Sequence, residues 1–181
     1  RANKIIQNFY ILKEKYNIVH LSTGDIFRYN IKNDTELGQL AKTFMDNGNL
    51  VPDDVTIKML QSEVDKNQGV SGFLFDGFPR TISQAEALDV FLTTKNEKII
   101  ATIALEADDE ILVARILERG KTSGRPDDQD EEKIRHRYQE YNEKTAPLME
   151  YYKEQNKFHP VNGIGSIAEI TERLSKVIDN L

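Results

Sequence analysis

The chain has 181 residues, with 24 Lys plus Arg against 30 Asp plus Glu, a net charge of −6 with His neutral. That length fits one domain with a real core, and 39% apolar against 30% charged residues is a soluble globular balance. An acidic chain is a poor general binder of nucleic acid, no apolar run approaches the ~18 residues of a membrane span, and the absence of Cys excludes disulfides and thiolate metal sites.

Helical and extended patterns alternate along the chain. Phe9, Leu12 and Tyr16 line one face of a helix over Asn8–Tyr16. Ile18–Leu21 is a short strand, Ser22-Thr23-Gly24-Asp25 follows it, and Ile26 opens another helix. Thr35–Met45 is helical and stops at Asn47-Gly48. Pro52-Asp53-Asp54 starts a further helix, and Phe73–Phe75 is a buried strand ending at Asp76-Gly77. Ile82–Leu92 is helical, and Lys98–Leu105 is a strand rich in β-branched residues. Helix Asp108–Arg119 leads into a polar loop, Gly120–Asp128. Helix Asp130–Tyr141 follows, and Pro147 opens the next. Phe158–Val161 is the last strand, and Ser166-x-x-Glu169 is a capping box before a final amphipathic helix. Strands separated by helices predict an α/β fold, with a central parallel sheet covered on both faces. Ligands of such sheets bind at the carboxyl ends of the strands.

The groups at those ends are Ser22–Asp25, Asp76–Arg80, Glu106–Asp108 and the glycine-rich Asn162–Gly165. Arg28, Arg80, Arg115, Arg119, Arg125, Arg135 and Arg137 are prominent for so acidic a chain, and several flank these loops or Gly120–Asp128. Converging guanidinium forks suit a polyphosphate. The plainer reading of any single Arg is surface pairing with one of the 30 carboxylates. Asp76, after an apolar strand, is equally suited to hold Mg²⁺ through water or to make a turn. For Asp25 the helix-cap reading is favoured. His20, His136 and His159 have no ligand spacing, and Tyr138, Tyr141, Tyr151 and Tyr152 are expected in packing.

Ordered segments of the chain resemble the adenylate kinase family. Leu21-Ser22-Thr23-Gly24-Asp25-Ile26-Phe27-Arg28 is similar to its LSTGD-x-x-R segment, and Asn47–Asp53 to its NG-x-LVPD segment. Gly72–Thr81 with Gln84-Ala85-Glu86 is similar to its GFLxDGFPRT…QAE signature, and Ser123–Asp128, Arg137 and Thr145-Ala146-Pro147 also fit. The resemblance implies a three-layer P-loop NTPase fold of the nucleoside monophosphate kinase type. It implies one domain over 1–181, an NMP-binding segment at 22–51 and a short lid at 119–129. The implied activity is reversible transfer of the terminal phosphoryl group of ATP-Mg to AMP, giving two ADP. A cytoplasmic monomer is implied, with no nucleic-acid or membrane partner.

Residue roles carry over from the same resemblance. Thr23, Arg28, the backbone of Asn49, Leu50 and Val51, then Gly77, Phe78, Pro79, Arg80 and Gln84 would form the AMP site. Arg28 and Arg80 would hold the AMP phosphate, and Gln84 would read the adenine edge. Arg115, Arg119 and Gly165 would meet ATP. Arg125 and Arg137 would close on the transferring group, and Asp76 with Asp25 would organise the Mg²⁺ hydration shell. Thr81 with Gln84 favours AMP over UMP or CMP as acceptor.

One family feature does not occur in the 181 residues: the phosphate loop G-x-x-x-x-G-K-[ST]. The resemblance implies that Asn3–Ile6 is the first half of the strand before that loop, and that about ten residues, strand end plus loop, are missing between Ile6 and Gln7. The alternatives to a complete kinase are a nucleotide-binding protein of impaired activity on the same fold, and a pyrimidine monophosphate kinase.

Overall fold

In the computed structural model, which describes residues 4–67, 69–123 and 128–181, helices and strands alternate. The order is α1 (Lys4–Tyr16), β1 (Val19–Ser22), α2 (Thr23–Lys32), α3 (Glu36–Met45), α4 (Asp53–Lys66), β2 (Phe73–Asp76), α5 (Ile82–Thr93), β3 (Thr102–Glu106), α6 (Asp109–Ser123), α7 (Glu131–Glu140), a π-helical turn (Tyr141–Thr145), α8 (Pro147–Glu154), β4 (Phe158–Asn162) and α9 (Ile167–Ile178).

Side-chain caps set most of the helix starts. Ser22, Thr35, Thr81, Asp130 and Ser166 each accept a backbone N–H from the first turn of α2, α3, α5, α7 and α9. The Ser166 capping box is complete, because Glu169 also reaches back to the Ser166 N–H.

Both strand pairings are parallel, as the alternating order predicts. β1 pairs with β2 from Val19↔Phe73 to Ser22↔Asp76, and β3 pairs with β4 from Thr102↔Phe158 to Glu106↔Asn162. Among the described residues they form two separate two-stranded sheets. Of the strand expected at Asn3–Ile6, Asn3 lies outside the described residues and Lys4–Ile6 make the first turn of α1 instead, so no strand from these described residues joins the pairs. β3 is also shorter than predicted. Its ladder begins at Thr102 opposite the first residue of β4, which leaves Ile100 more than half exposed. The predicted loop Gly120–Asp128 begins later than expected, because α6 runs on to Ser123.

Helices cover the strands on named contacts. Leu12 of α1 packs with Val161, Ile170 and Leu174, beside Ile103 and Leu105 of β3. Leu21 of β1 packs with Leu60, Val64, Phe78, Leu88 and Leu92 from α4, α5 and the loop between β2 and α5. Phe27 of α2, Ala41 of α3, Met59 of α4 and Val51 before α4 form a smaller core. There Gly38 lets α3 approach α2, since a Cβ on it would lie 2.2 Å from the Asn30 carbonyl oxygen. Of the tyrosines expected in packing, Tyr152 is fully buried and Tyr141 is exposed.

Candidate functional site

β1 and β2 end side by side, with Ser22 opposite Asp76. The chain then turns into α2 on one side and into the Gly77–Arg80 loop on the other. The Thr23 hydroxyl donates to the Gly77 carbonyl at 3.1 Å, and Arg80 Nε donates to the same oxygen at 2.8 Å. Arg28 lies one turn along α2. Its guanidinium folds back over Gly24 and pairs with Asp25 at 2.5 Å. Both partners are partly solvated, at 30% and 47% side-chain exposure, so water or an anion can compete for the pair. Thr23, Arg28, Gly77 and Arg80 are therefore brought together at the carboxyl ends of two parallel strands.

Phe78 precedes a cis Pro79 and is buried in the core, so it shapes the loop from beneath. Gln84 is 2% exposed, accepting from the Arg80 N–H at 2.8 Å and donating to Asp53 at 2.6 Å. Thr81 caps α5 and also donates to Asp53 at 3.0 Å. Val51 is buried in the small core, so its side chain is committed to packing.

A second cluster joins α6 to α7. Asp128 has no exposed surface, and it receives Arg119 through two bonds, at 2.6 and 2.7 Å, and Arg137 at 3.0 Å. A Cβ on Gly120 would lie 2.3 Å from the Asp128 carbonyl oxygen, so Asp128 sits directly on α6. α7 also reaches the segment bearing α2 and α3. Lys133 Nζ donates to the Asp46 carbonyl at 2.7 Å, and His136 Nε2 lies 2.9 Å from Asn49 Oδ1. Arg137 runs past Gly48, where a Cβ would come within 3.0 Å of its Cγ. Arg125 lies outside the described residues.

At the end of β4, Arg115 Nη1 donates to the Gly163 carbonyl at 2.9 Å, and Arg173 Nη1 donates to the Asn162 and Ile164 carbonyls. Gly165 closes this loop, directly before the Ser166 cap. Glu169 accepts the Ser166 backbone N–H and then its hydroxyl, which together hold its carboxyl below the ordinary Glu value. Tyr141 is exposed as a residue, but partial desolvation of its hydroxyl, followed by the nearby charge of Glu106, raises the phenol.

Asp76 fits a hydrated Mg²⁺, since it is a carboxylate at a strand end with 30% of its side chain exposed. His20 Nε2 lies 3.4 Å from it. Asp25 is turned toward Arg28.

Asp128 and Asp53 are neighbours of the expected site residues to which the sequence motifs give no role. Asp128 stands nine residues from each of its two arginines. That symmetric spacing of one acid between two basic helix residues was its available signal. Asp53 is expected from the sequence as part of a helix start and of the NG-x-LVPD segment, without a role of its own.

A family profile described as adenylate kinase matches residues 6–157. The chain is 78% identical over 170 residues to an adenylate kinase of Flavobacterium psychrophilum, covering 94% of this chain and 90% of that protein. The chain belongs to the adenylate kinase family. An adenylate kinase of Flavobacterium johnsoniae is 72% identical with the same coverage, and one of Bacteroides fragilis is 46% identical over 168 residues. Adenylate kinases have a P-loop NTPase α/β fold, and the parallel strand pairs flanked by helices here are in keeping with it. Membership also makes sense of the arginines, because nucleotide phosphates need several cationic forks at close quarters.

Proposed function

We propose that this chain catalyses reversible transfer of the terminal phosphoryl group of ATP-Mg to AMP, giving two ADP. The observation that carries the reading is the convergence of Thr23 and Arg80 on Gly77, with Arg28 folded over the adjoining helix start. In this reading Arg28 and Arg80 hold the AMP phosphate, and the backbone of Asn49, Leu50 and Val51 lines the acceptor pocket. Gln84 meets the adenine base. Arg115 and Gly165 face the ATP nucleoside. Arg119 and Arg137, with Arg125, neutralise the phosphates as they approach. Asp76 holds the hydration shell of Mg²⁺, and the ion supplies charge neutralisation on the donor phosphates when bound.

The chemistry needs placement and charge compensation more than covalent catalysis. Arg119 and Arg137 are pre-aimed by one buried carboxylate, so little reorganisation remains when phosphates arrive. The contacts of α7 with Asp46 and Asn49 tie the helix bearing Arg137 to the acceptor segment, which supports closure that excludes water.

The reading includes a monomer in the cytoplasm. No helix among the described residues is long and apolar enough to cross a membrane. A coupled assay of ADP formation from ATP-Mg with AMP, CMP or UMP tests it. AMP is expected to be the preferred acceptor, and preference for CMP or UMP would overturn the assignment. Because no G-x-x-x-x-G-K-[ST] occurs in the 181 residues, AMP binding measured without ATP tests the acceptor half by itself.

A further inference from the structure

Asp53 opens α4, and its carboxylate collects three donors from the start of α5: Thr81 Oγ1 at 3.0 Å, the Ser83 hydroxyl, and Gln84 Nε2 at 2.6 Å. At the other end, Gln84 Oε1 accepts the Arg80 backbone N–H at 2.8 Å. The Gln84 side chain is thus held at both ends of its amide, inside the protein.

The two partners decide which way that amide points. A backbone N–H only donates and an ionised carboxylate only accepts. The amide oxygen must therefore face Arg80 and the amide nitrogen Asp53. The reversed amide would set oxygen against oxygen and N–H against N–H. These contacts use one of the two amide N–H groups and one of the two oxygen lone pairs, leaving one of each in a fixed order. A 6-amino purine offers the matching edge, an exocyclic amine that donates beside a ring nitrogen that accepts. A 6-oxo purine presents the reverse, a carbonyl beside a ring N–H.

We propose that Asp53 is a positioning residue that sets the base specificity of the acceptor site. By fixing the sense of the Gln84 amide, it selects a 6-amino over a 6-oxo purine nucleotide. The inference rests on the reading of Gln84 as the group that meets the acceptor base. Asp53 acts through Gln84 and needs no contact with the ligand.

The test is calorimetric titration of the full chain with AMP, IMP and ribose 5-phosphate, in wild type and Asp53→Asn. Asn has the same shape but can turn either its NH₂ or its C=O toward Gln84, so only the Arg80 N–H still opposes the reversed amide. Wild type is expected to prefer AMP over IMP by about 10- to 100-fold, the discrimination typical of a good bidentate base contact. In the variant that ratio should fall at least about fivefold, as the bidentate discrimination is lost, while ribose 5-phosphate binding stays unchanged. If all three ligands weaken by one common factor and the AMP-to-IMP ratio is intact, Asp53 merely braces the fold and the proposal is overturned. If wild type binds ribose 5-phosphate as tightly as AMP, the base-reading role of Gln84 fails and takes the proposal with it. That result is visible before any variant is made. Should Asp53→Asn not fold, Asp53→Ser is read in the same way, because a hydroxyl both donates and accepts.

Discussion

Replacing Asp128 by Asn removes a negative charge from a position with no exposed surface while keeping the side chain's shape. The carboxylate is shared by two guanidiniums through bonds of 2.6, 2.7 and 3.0 Å, so the change leaves two cations facing a neutral amide. Breaking a buried ion pair by removing one partner costs about 3–5 kcal/mol. The low end applies here. The Arg119 and Arg137 side chains are 22% and 29% exposed and can turn toward water, and Asn still accepts a hydrogen bond. With a cost of about 3 kcal/mol, and about 2–4 °C in Tm per kcal/mol for a chain of this size, Asp128→Asn should lower Tm by about 6–12 °C. Circular dichroism melts at neutral pH read the shift. High salt should change it little, because the carboxylate is screened by protein and not by ions. A Tm within about 2 °C of wild type, less than 1 kcal/mol at this chain size, would refute the view that Asp128 holds the two arginines together.

Arg28→Ala and Arg80→Ala should each weaken AMP binding at least about tenfold by calorimetry, since each removes charge-assisted bonds worth about 1.5–3 kcal/mol. Arg28→Ala should leave Tm nearly unchanged, because its pair with Asp25 is partly solvated. Gly38→Ala places a Cβ 2.2 Å from the Asn30 carbonyl oxygen and must push α3 from α2. The overpacking cost of about 1–3 kcal/mol outweighs the helix-propensity gain of up to about 1 kcal/mol, so urea titration should show net destabilisation. The Glu169 carboxyl binds its proton more weakly when folded, chiefly because the Ser166 N–H and then its hydroxyl bond the charged form. Its stabilisation is therefore present above the ordinary Glu value of 4.5 and is lost as pH falls through the lower folded value. Glu169→Gln should flatten the stability-against-pH curve in that acid window, as followed by denaturant titration.

What was legible in the sequence had local causes. Ser166-x-x-Glu169 and Thr35 marked helix starts because a cap needs only residues three apart. The alternation of strand and helix predicted parallel pairing correctly. The errors came where pairing or packing at a distance decides. Lys98–Ala101 has strand-like composition, but β4 supplies a partner only from Phe158 onward, so β3 begins at Thr102. Lys4–Ile6 has apolar, β-prone residues yet continues α1. In the site, ordered motifs picked out Thr23, Arg28 and Arg80 together. The tasks of Asp53 and Asp128 stayed hidden, because Asp53 meets Gln84 across 31 residues and Asp128 acts through two helices at once.

The activity proposed for this chain is phosphoryl exchange between ATP and AMP. Phosphorus NMR of the chain with equimolar ATP and AMP, and Mg²⁺, reads it directly. ATP and AMP are expected to disappear together while two ADP appear for each pair consumed, with no inorganic phosphate. ADP formation that continues at the same rate when AMP is left out, with phosphate accumulating, would contradict it, and so would no exchange at all.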